Sequence, residues 1–218
     1  MSNLISVVEL FLVLNQCTPD VHPRTMAAIV EAESSRNIYA INVNSQGYNQ
    51  PKPQTLEDAK ATFESLKSQG LNFDAGLAQI NSGNFDAYGL TSENVFDPCT
   101  NVATGGDILK QNFLNASESI ADEQDALIAA ISAYNTGNYQ RGLKNGYVDR
   151  VKGKASTIVV PDIESVVSAT EQVRQKKVSS QDEKEETTAH NWRVFGSSKQ
   201  TTDVFSGSNK KSALVFNK

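Results

Sequence analysis

The 218-residue chain is poor in the residues that build metal centres. Its two histidines, His22 and His190, and two cysteines, Cys17 and Cys99, lie too far apart in sequence for ligand spacing, so no structural zinc, other metal or cofactor is expected. Positive charge is also in short supply: 20 basic side chains face 25 acidic ones, with a pI near 5.1. A phosphate backbone needs a concentrated basic face, so nucleic acid is excluded as an expected partner. No apolar run reaches the roughly 18 to 20 residues that span a bilayer, and no transmembrane segment is expected. What remains, 39% apolar residues over this length, is the core of one domain with an appendage.

The acidity is concentrated in the first part of the chain. Residues 1–154 carry 11 basic and 17 acidic side chains, a net of −6, and residues 155–218 carry 9 and 8, a net of +1. Three segments are expected: a folded domain over 1–154, a linker or marginal helix over 155–177, and a disordered tail over 178–218. The tail is dominated by Ser, Thr, Gln, Lys and Glu, which cannot bury enough surface to offset ordering entropy. Within it, Val194-Phe195, Val204-Phe205 and Val215-Phe216 recur at spacings of 10 and 11 residues. This is either coincidence in a low-complexity stretch or a repeated short anchor for a partner.

The N-terminal run Leu4–Leu14 has the composition of a signal-peptide core, but Glu9 interrupts it and neither a basic leader nor a small-x-small site accompanies it. It reads as the first helix of the domain. Leu14-Asn15-Gln16-Cys17 is a poor lipidation box. Further helices are expected from Pro23 through Glu33, from a Thr55–Asp58 cap to a stop at Gly70, around Val102–Phe113, and across Leu127–Tyr134. Ile41-Asn42-Val43 and Leu71-Asn72-Phe73 are short strand signals. The fold class is therefore mostly α (α+β), with a small β-sheet.

Glu33 shares the apolar face of its helix with Met26, Ile29 and Val30. Burial and the negative end of the helix dipole both penalise a carboxylate there, so such a group can hold a proton near neutral pH. That is what a general acid for glycosidic cleavage needs. Taken singly, the same residue also reads as an ordinary solvated or ion-paired glutamate. Glu31, about 200° round the helix, points elsewhere and reads as solvated.

Three further segments follow in order: Gly76-Leu77-Ala78-Gln79-Ile80-Asn81, Ala133-Tyr134-Asn135-Thr136-Gly137 and Gly146-Tyr147-Val148. With Glu33-Ser34, they resemble the lytic transglycosylase domain of the lysozyme superfamily. Cys17-Thr18-Pro19, Asn72-Phe73-Asp74-Ala75-Gly76 and Phe96-Asp97-Pro98-Cys99 narrow the resemblance to the VirB-type peptidoglycan-cleaving component of type IV secretion systems. The likeness covers about residues 10–152. It departs from the family at Ile38, where Pro is frequent, and at Ala78, where Met is frequent.

The resemblance implies a lysozyme-like domain with Glu33 as catalytic acid and base. It places Ser34, Gln79, Asn81 and Asn135 along the glycan, Tyr134 near the carboxyl and Tyr147 on the far side. No second Asp or Glu stands in a motif position suited to a nucleophile or water-activating base. One glutamate would then protonate the bond between N-acetylmuramic acid and N-acetylglucosamine and afterwards deprotonate the 6-hydroxyl, leaving a 1,6-anhydro sugar. The implied setting is the periplasm, with no export signal evident in the sequence. The implied partners are glycan strands and other secretion subunits, the latter through the C-terminal tail. In that setting Cys17 and Cys99 suggest a disulfide, worth roughly 4 to 5 kcal/mol in the chain-entropy account; two buried free thiols are the alternative. A goose-type hydrolytic lysozyme and a non-catalytic glycan-binding scaffold remain open as other functions.

Overall fold

A computed structural model describes residues 3–161. Seven helices and one small sheet follow along this part of the chain: α1 (Val7–Cys17), α2 (Pro23–Glu33), β1 (Ile41–Val43), α3 (Leu56–Ser68), β2 (Phe73–Ala75), β3 (Ile80–Asn81), α4 (Pro98–Ser117), α5 (Glu123–Thr136), α6 (Arg141–Lys144) and α7 (Tyr147–Thr157). The mostly helical reading with a small sheet holds. The expected linker beyond Pro161, the tail and its three Val-Phe pairs lie outside the described residues. No described helix is long and apolar enough to cross a membrane.

The helix ends follow from local chemistry. Ser6 and Glu9 form a reciprocal capping box, which explains an acidic residue inside an otherwise apolar run: Glu9 caps the start of α1 rather than facing its core. Pro23 opens α2, Thr55 caps α3 through the Asp58 N–H, and Gly70 turns the chain after α3 at φ +66°. Helix α4, a weak central segment by sequence pattern, is the longest element at 20 residues because Asp97 and Pro98 begin it earlier. It lies against α1 and α5, while α2 packs on α7. Cys17, the last residue of α1, is bonded to Cys99 in the first turn of α4, with Cα atoms 5.5 Å apart.

The sheet is antiparallel in the order β1-β2-β3. The second strand starts two residues later than the sequence signal, and the third has no counterpart among the expected strands. Pairing with β1 sets the bounds, Val43 standing opposite Phe73 and Ile41 opposite Ala75. Phe73 and Ala75 are fully buried, with Phe73 edge-on to Phe63 at 5.3 Å and within 5.4 Å of Phe85. Burying one such ring stabilises by about 2 kcal/mol, and with Phe73 and Ala75 facing the core Asp74 points to the opposite face.

Candidate active site

Glu33 is the last residue of α2, and the chain leaves it through a turn in which Ser35 and Arg36 both take left-handed backbone conformations (φ +50° and +68°). Two such residues in succession are costly unless the surroundings hold them. Here Arg36 donates from Nε to Glu31 at 2.6 Å and from Nη1 to the Ile5 carbonyl at 2.9 Å, while the Ile5 N–H bonds the Arg36 carbonyl at 3.1 Å. Glu31, expected to be solvated, is therefore an ion-pair partner that braces the turn after Glu33.

Glu33 opens into a cleft of about 760 Å³. Tyr147 Oη donates to its Oε1 at 2.5 Å. Burial is the dominant influence and raises the Glu33 pKa to about 7; the Tyr147 bond and the Arg150 charge oppose the rise, and the negative charge of Asp74 adds to it. Arg150 lies over the Tyr147 ring at 5.1 Å from its centre. The acid is thus half-protonated near neutrality, and the hydroxyl beside it stays a donor, since burial and Glu33 push the Tyr147 pKa well up.

Both tyrosines stand near Glu33, but it is Tyr147 that bonds the carboxyl. Tyr147, expected across the cleft, is buried beneath Glu33 and bonded to it. Tyr134, expected at the carboxyl, instead donates to the Ala78 carbonyl at 2.7 Å, still within electrostatic reach of Glu33. Gly105 makes this possible: a Cβ there would come within 2.8 Å of Tyr134 Oη, Ala78 Cβ and Met26 Cε. Tyr134 therefore ties α5 to the Gly76–Asn81 segment across the site.

That segment is built tightly. Gly76 at φ +81° permits the turn, and its missing side chain admits Asn101, whose amide nitrogen would stand 2.2 Å from a Cβ. Fully buried Asn101 accepts from the Ala78 N–H at 2.7 Å and donates to the Ala75 and Val95 carbonyls. Gln79 adopts φ +49° and donates to the Ala40 and Gly76 carbonyls at 3.0 and 2.8 Å. It lines the cleft as a wall whose amide nitrogen is committed to the backbone. Asn135 lines the opposite side and accepts from Asn145 at 3.3 Å. Ser34 is turned away, its hydroxyl bonded to the Val30 carbonyl at 3.2 Å.

The strand face supplies what sequence reasoning missed. The register sets Asn42 opposite Asp74 and Asp74 opposite Asn81, so one polar row crosses all three strands on the cleft side. Asp74 Oδ1 accepts from Asn81 at 2.7 Å and its Oδ2 from Asn44 at 2.9 Å; Asn72 bridges Asn44 and Asn81. Sequence reading assigns Glu33 no second Asp or Glu in a motif position suited to a nucleophile or water-activating base; Asp74 nevertheless lines the same cleft. The signal is present in the Asn72–Gly76 segment and needs only the strand shifted by two residues. Arg150 and Asn101 carry no motif, being single polar residues on helices.

Residues 14–156 match the family described as the transglycosylase SLT domain. The chain is 42% identical over 158 residues to the type IV secretion system protein virB1 of Brucella abortus biovar 1 (strain 9-941), covering 69% of this chain and 66% of that protein. Against the protein virB1 of Agrobacterium fabrum (strain C58 / ATCC 33970) it is 35% identical over 146 residues, 67% of this chain and 59% of the relative. Against that of Rhizobium radiobacter it is 36% identical over 163 residues, 73% and 66%. The matches thus span just under two thirds of these relatives' own lengths. No solved structure matches the chain.

Proposed function

The chain belongs to the transglycosylase SLT domain family, and on that premise we propose that it is a peptidoglycan lytic transglycosylase acting in the periplasm for a type IV secretion system. The observation that carries the reading is Glu33: a carboxyl whose pKa is raised to about 7 by burial, opening into a polar cleft of about 760 Å³. Such a group delivers a proton to a glycosidic oxygen at neutral pH and is then a base of matched strength. Glu33 protonates the oxygen between N-acetylmuramic acid and N-acetylglucosamine as the bond breaks. The resulting carboxylate takes the proton of the muramoyl 6-hydroxyl, whose oxygen closes on the anomeric carbon. The product is a 1,6-anhydro end, and Glu33 is returned to its protonated form. Tyr147 orients the carboxyl, and Gln79, Asn81 and Asn135 shape the walls that hold the strand. Glycan strands and other secretion subunits are the proposed partners.

Mass spectrometry of muropeptides released by wild-type protein beside Glu33→Gln tests this reading. Anhydro ends, lighter than hydrolytic ends by one water, are expected from the wild type and absent with Glu33→Gln. Reducing ends alone would make the protein a hydrolase. That second reading is favoured by one observation, the presence of Asp74 in the cleft, because two-carboxylate hydrolysis needs a second acidic group beside the acid.

A further inference from the structure

Tyr147 and Arg150 stand three residues apart on α7, the spacing that makes side chains neighbours on one helix face. Tyr147 is fully buried and bonded to Glu33, whereas Arg150 is exposed and lines the cleft. The Arg150 guanidinium lies 5.1 Å from the centre of the Tyr147 ring, so the buried ring is a fixed platform for the cation. Among the described residues that guanidinium makes no hydrogen bond and no ion pair. Its N–H donors are left for solvent or a ligand.

The remaining charged lining of the cleft is acidic, Glu33 and Asp74, and most of the other polar groups are neutral amides. Among the described residues no second cation lines it. Such a surface repels an anion everywhere except at Arg150. The glycan strand of the reading above is anionic: each muramoyl residue bears a lactyl ether that N-acetylglucosamine lacks. That arm ends in a carboxylate, its own where the glycan is bare, or those of the peptide amide-linked to it.

We propose that Arg150 reads the carboxylate on the lactyl arm of the muramoyl residue and so separates muramoyl glycan from a neutral N-acetylglucosamine polymer. The inference rests on the glycan-cleaving reading. The planar guanidinium matches a carboxylate with two parallel N–H bonds, and stacking on Tyr147 orders it before the ligand arrives. The amide walls cannot make this distinction, because they bond hydroxyl and acetamido groups that both sugars carry. Arg150 binds and orients in this role and exchanges no proton.

Arg150 also lowers the Glu33 pKa, so the test reads binding in the Glu33→Gln protein, where that route is closed. Calorimetry compares Glu33→Gln alone with the same protein carrying Arg150→Gln or Arg150→Lys. The ligands are chitotetraose, a bare tetrasaccharide alternating N-acetylglucosamine and N-acetylmuramic acid, and that tetrasaccharide bearing peptide stems. Arg150→Gln is expected to weaken a muramoyl ligand by about tenfold or more and to leave chitotetraose within about twofold. The difference should shrink at high salt, and Arg150→Lys, which keeps the charge without the fork, should recover part of it. A loss confined to the bare ligand assigns the contact to the lactyl carboxylate, and one confined to the stem-bearing ligand assigns it to a peptide carboxylate. Because Arg150 is exposed, both variants are expected to fold, and unchanged melting temperatures check this. Equal loss on all three ligands would overturn the proposal and make Arg150 a support for Tyr147; no loss on any would overturn it outright. A Glu33→Gln protein that binds none of the three would instead strike the glycan-cleaving reading, so the two failures are told apart.

Discussion

The two sides of the cleft treat their carboxyl groups in contrary ways. On the helical side, α2 delivers Glu33 into a site where burial dominates and Tyr147 and Arg150 offer partial relief. On the strand side, burial also raises the pKa of Asp74, but the amides of Asn81, Asn44 and Asn42 pull against it. Both carboxyls stand above their ordinary values, but only the second is ringed by amide donors. Burial is the larger influence on both carboxyls, and the two sides differ in the number of donors that oppose it. A strand face presents side chains in rows across its neighbours, which is how three residues of the row Asn42, Asp74 and Asn81 converge. A helix end presents one residue at a time.

The hardest blow to this contrast is Glu33→Gln. It keeps the shape and removes the titrating proton, so cleavage should fall by about a thousandfold or more while binding to sacculi persists. The same variant carries a stability signature. Because the Glu33 pKa rises from 4.5 to about 7 on folding, the folded state holds the proton that the unfolded state releases between those values. Wild-type stability should therefore decline as pH rises from about 4.5 to 7, by up to about 3 kcal/mol. Chemical denaturation across that range should show the decline in wild type and its absence in Glu33→Gln.

Tyr147→Phe sharpens the helical side. Losing the donor removes a brake on the Glu33 pKa, so the alkaline limb of the rate profile should move to higher pH. The rate at neutral pH should fall about tenfold as the carboxyl loses its fixed orientation. Reduction of Cys17–Cys99 probes neither side. It should lower stability by about 2 to 5 kcal/mol, seen as a lower melting temperature, while the limb stays where it is at temperatures well below melting. Tyr134→Phe should be the mildest on chemistry. It orphans the buried Ala78 carbonyl at about 1 to 2 kcal/mol and slows cleavage only a few-fold, because the acid and its hydroxyl partner remain.

Legibility in the sequence differs between the same two sides. Helical periodicity alone places Glu33 on an apolar face, and caps at Pro23 and Thr55 locate two helices, because those signals are local. The strand side is nearly invisible. Two- and three-residue strands leave no periodicity to count, and the bounds of β2 follow from its pairing with Ile41–Val43 and the packing of Phe73 against Phe63 and Phe85. A strand placed at Leu71–Phe73 ends one residue before Asp74 and so leaves it out of the row it forms with Asn42 and Asn81. The position of Tyr147 beside Glu33 has a similar cause. Tyr134 and Tyr147 each stand in a motif, but which hydroxyl reaches Glu33 depends on α7 packing against α2, a long-range contact that no local pattern reports.

The central claim is that this cleft keeps Glu33 protonated near neutral pH, and a carbon-13 NMR titration of the side-chain carboxyl, assigned by difference against Glu33→Gln, tests it most directly. A midpoint close to 7 is the predicted result. A midpoint near 4.5, the ordinary value for a solvated glutamate, would contradict the account, since the acid would then be spent before the reaction began.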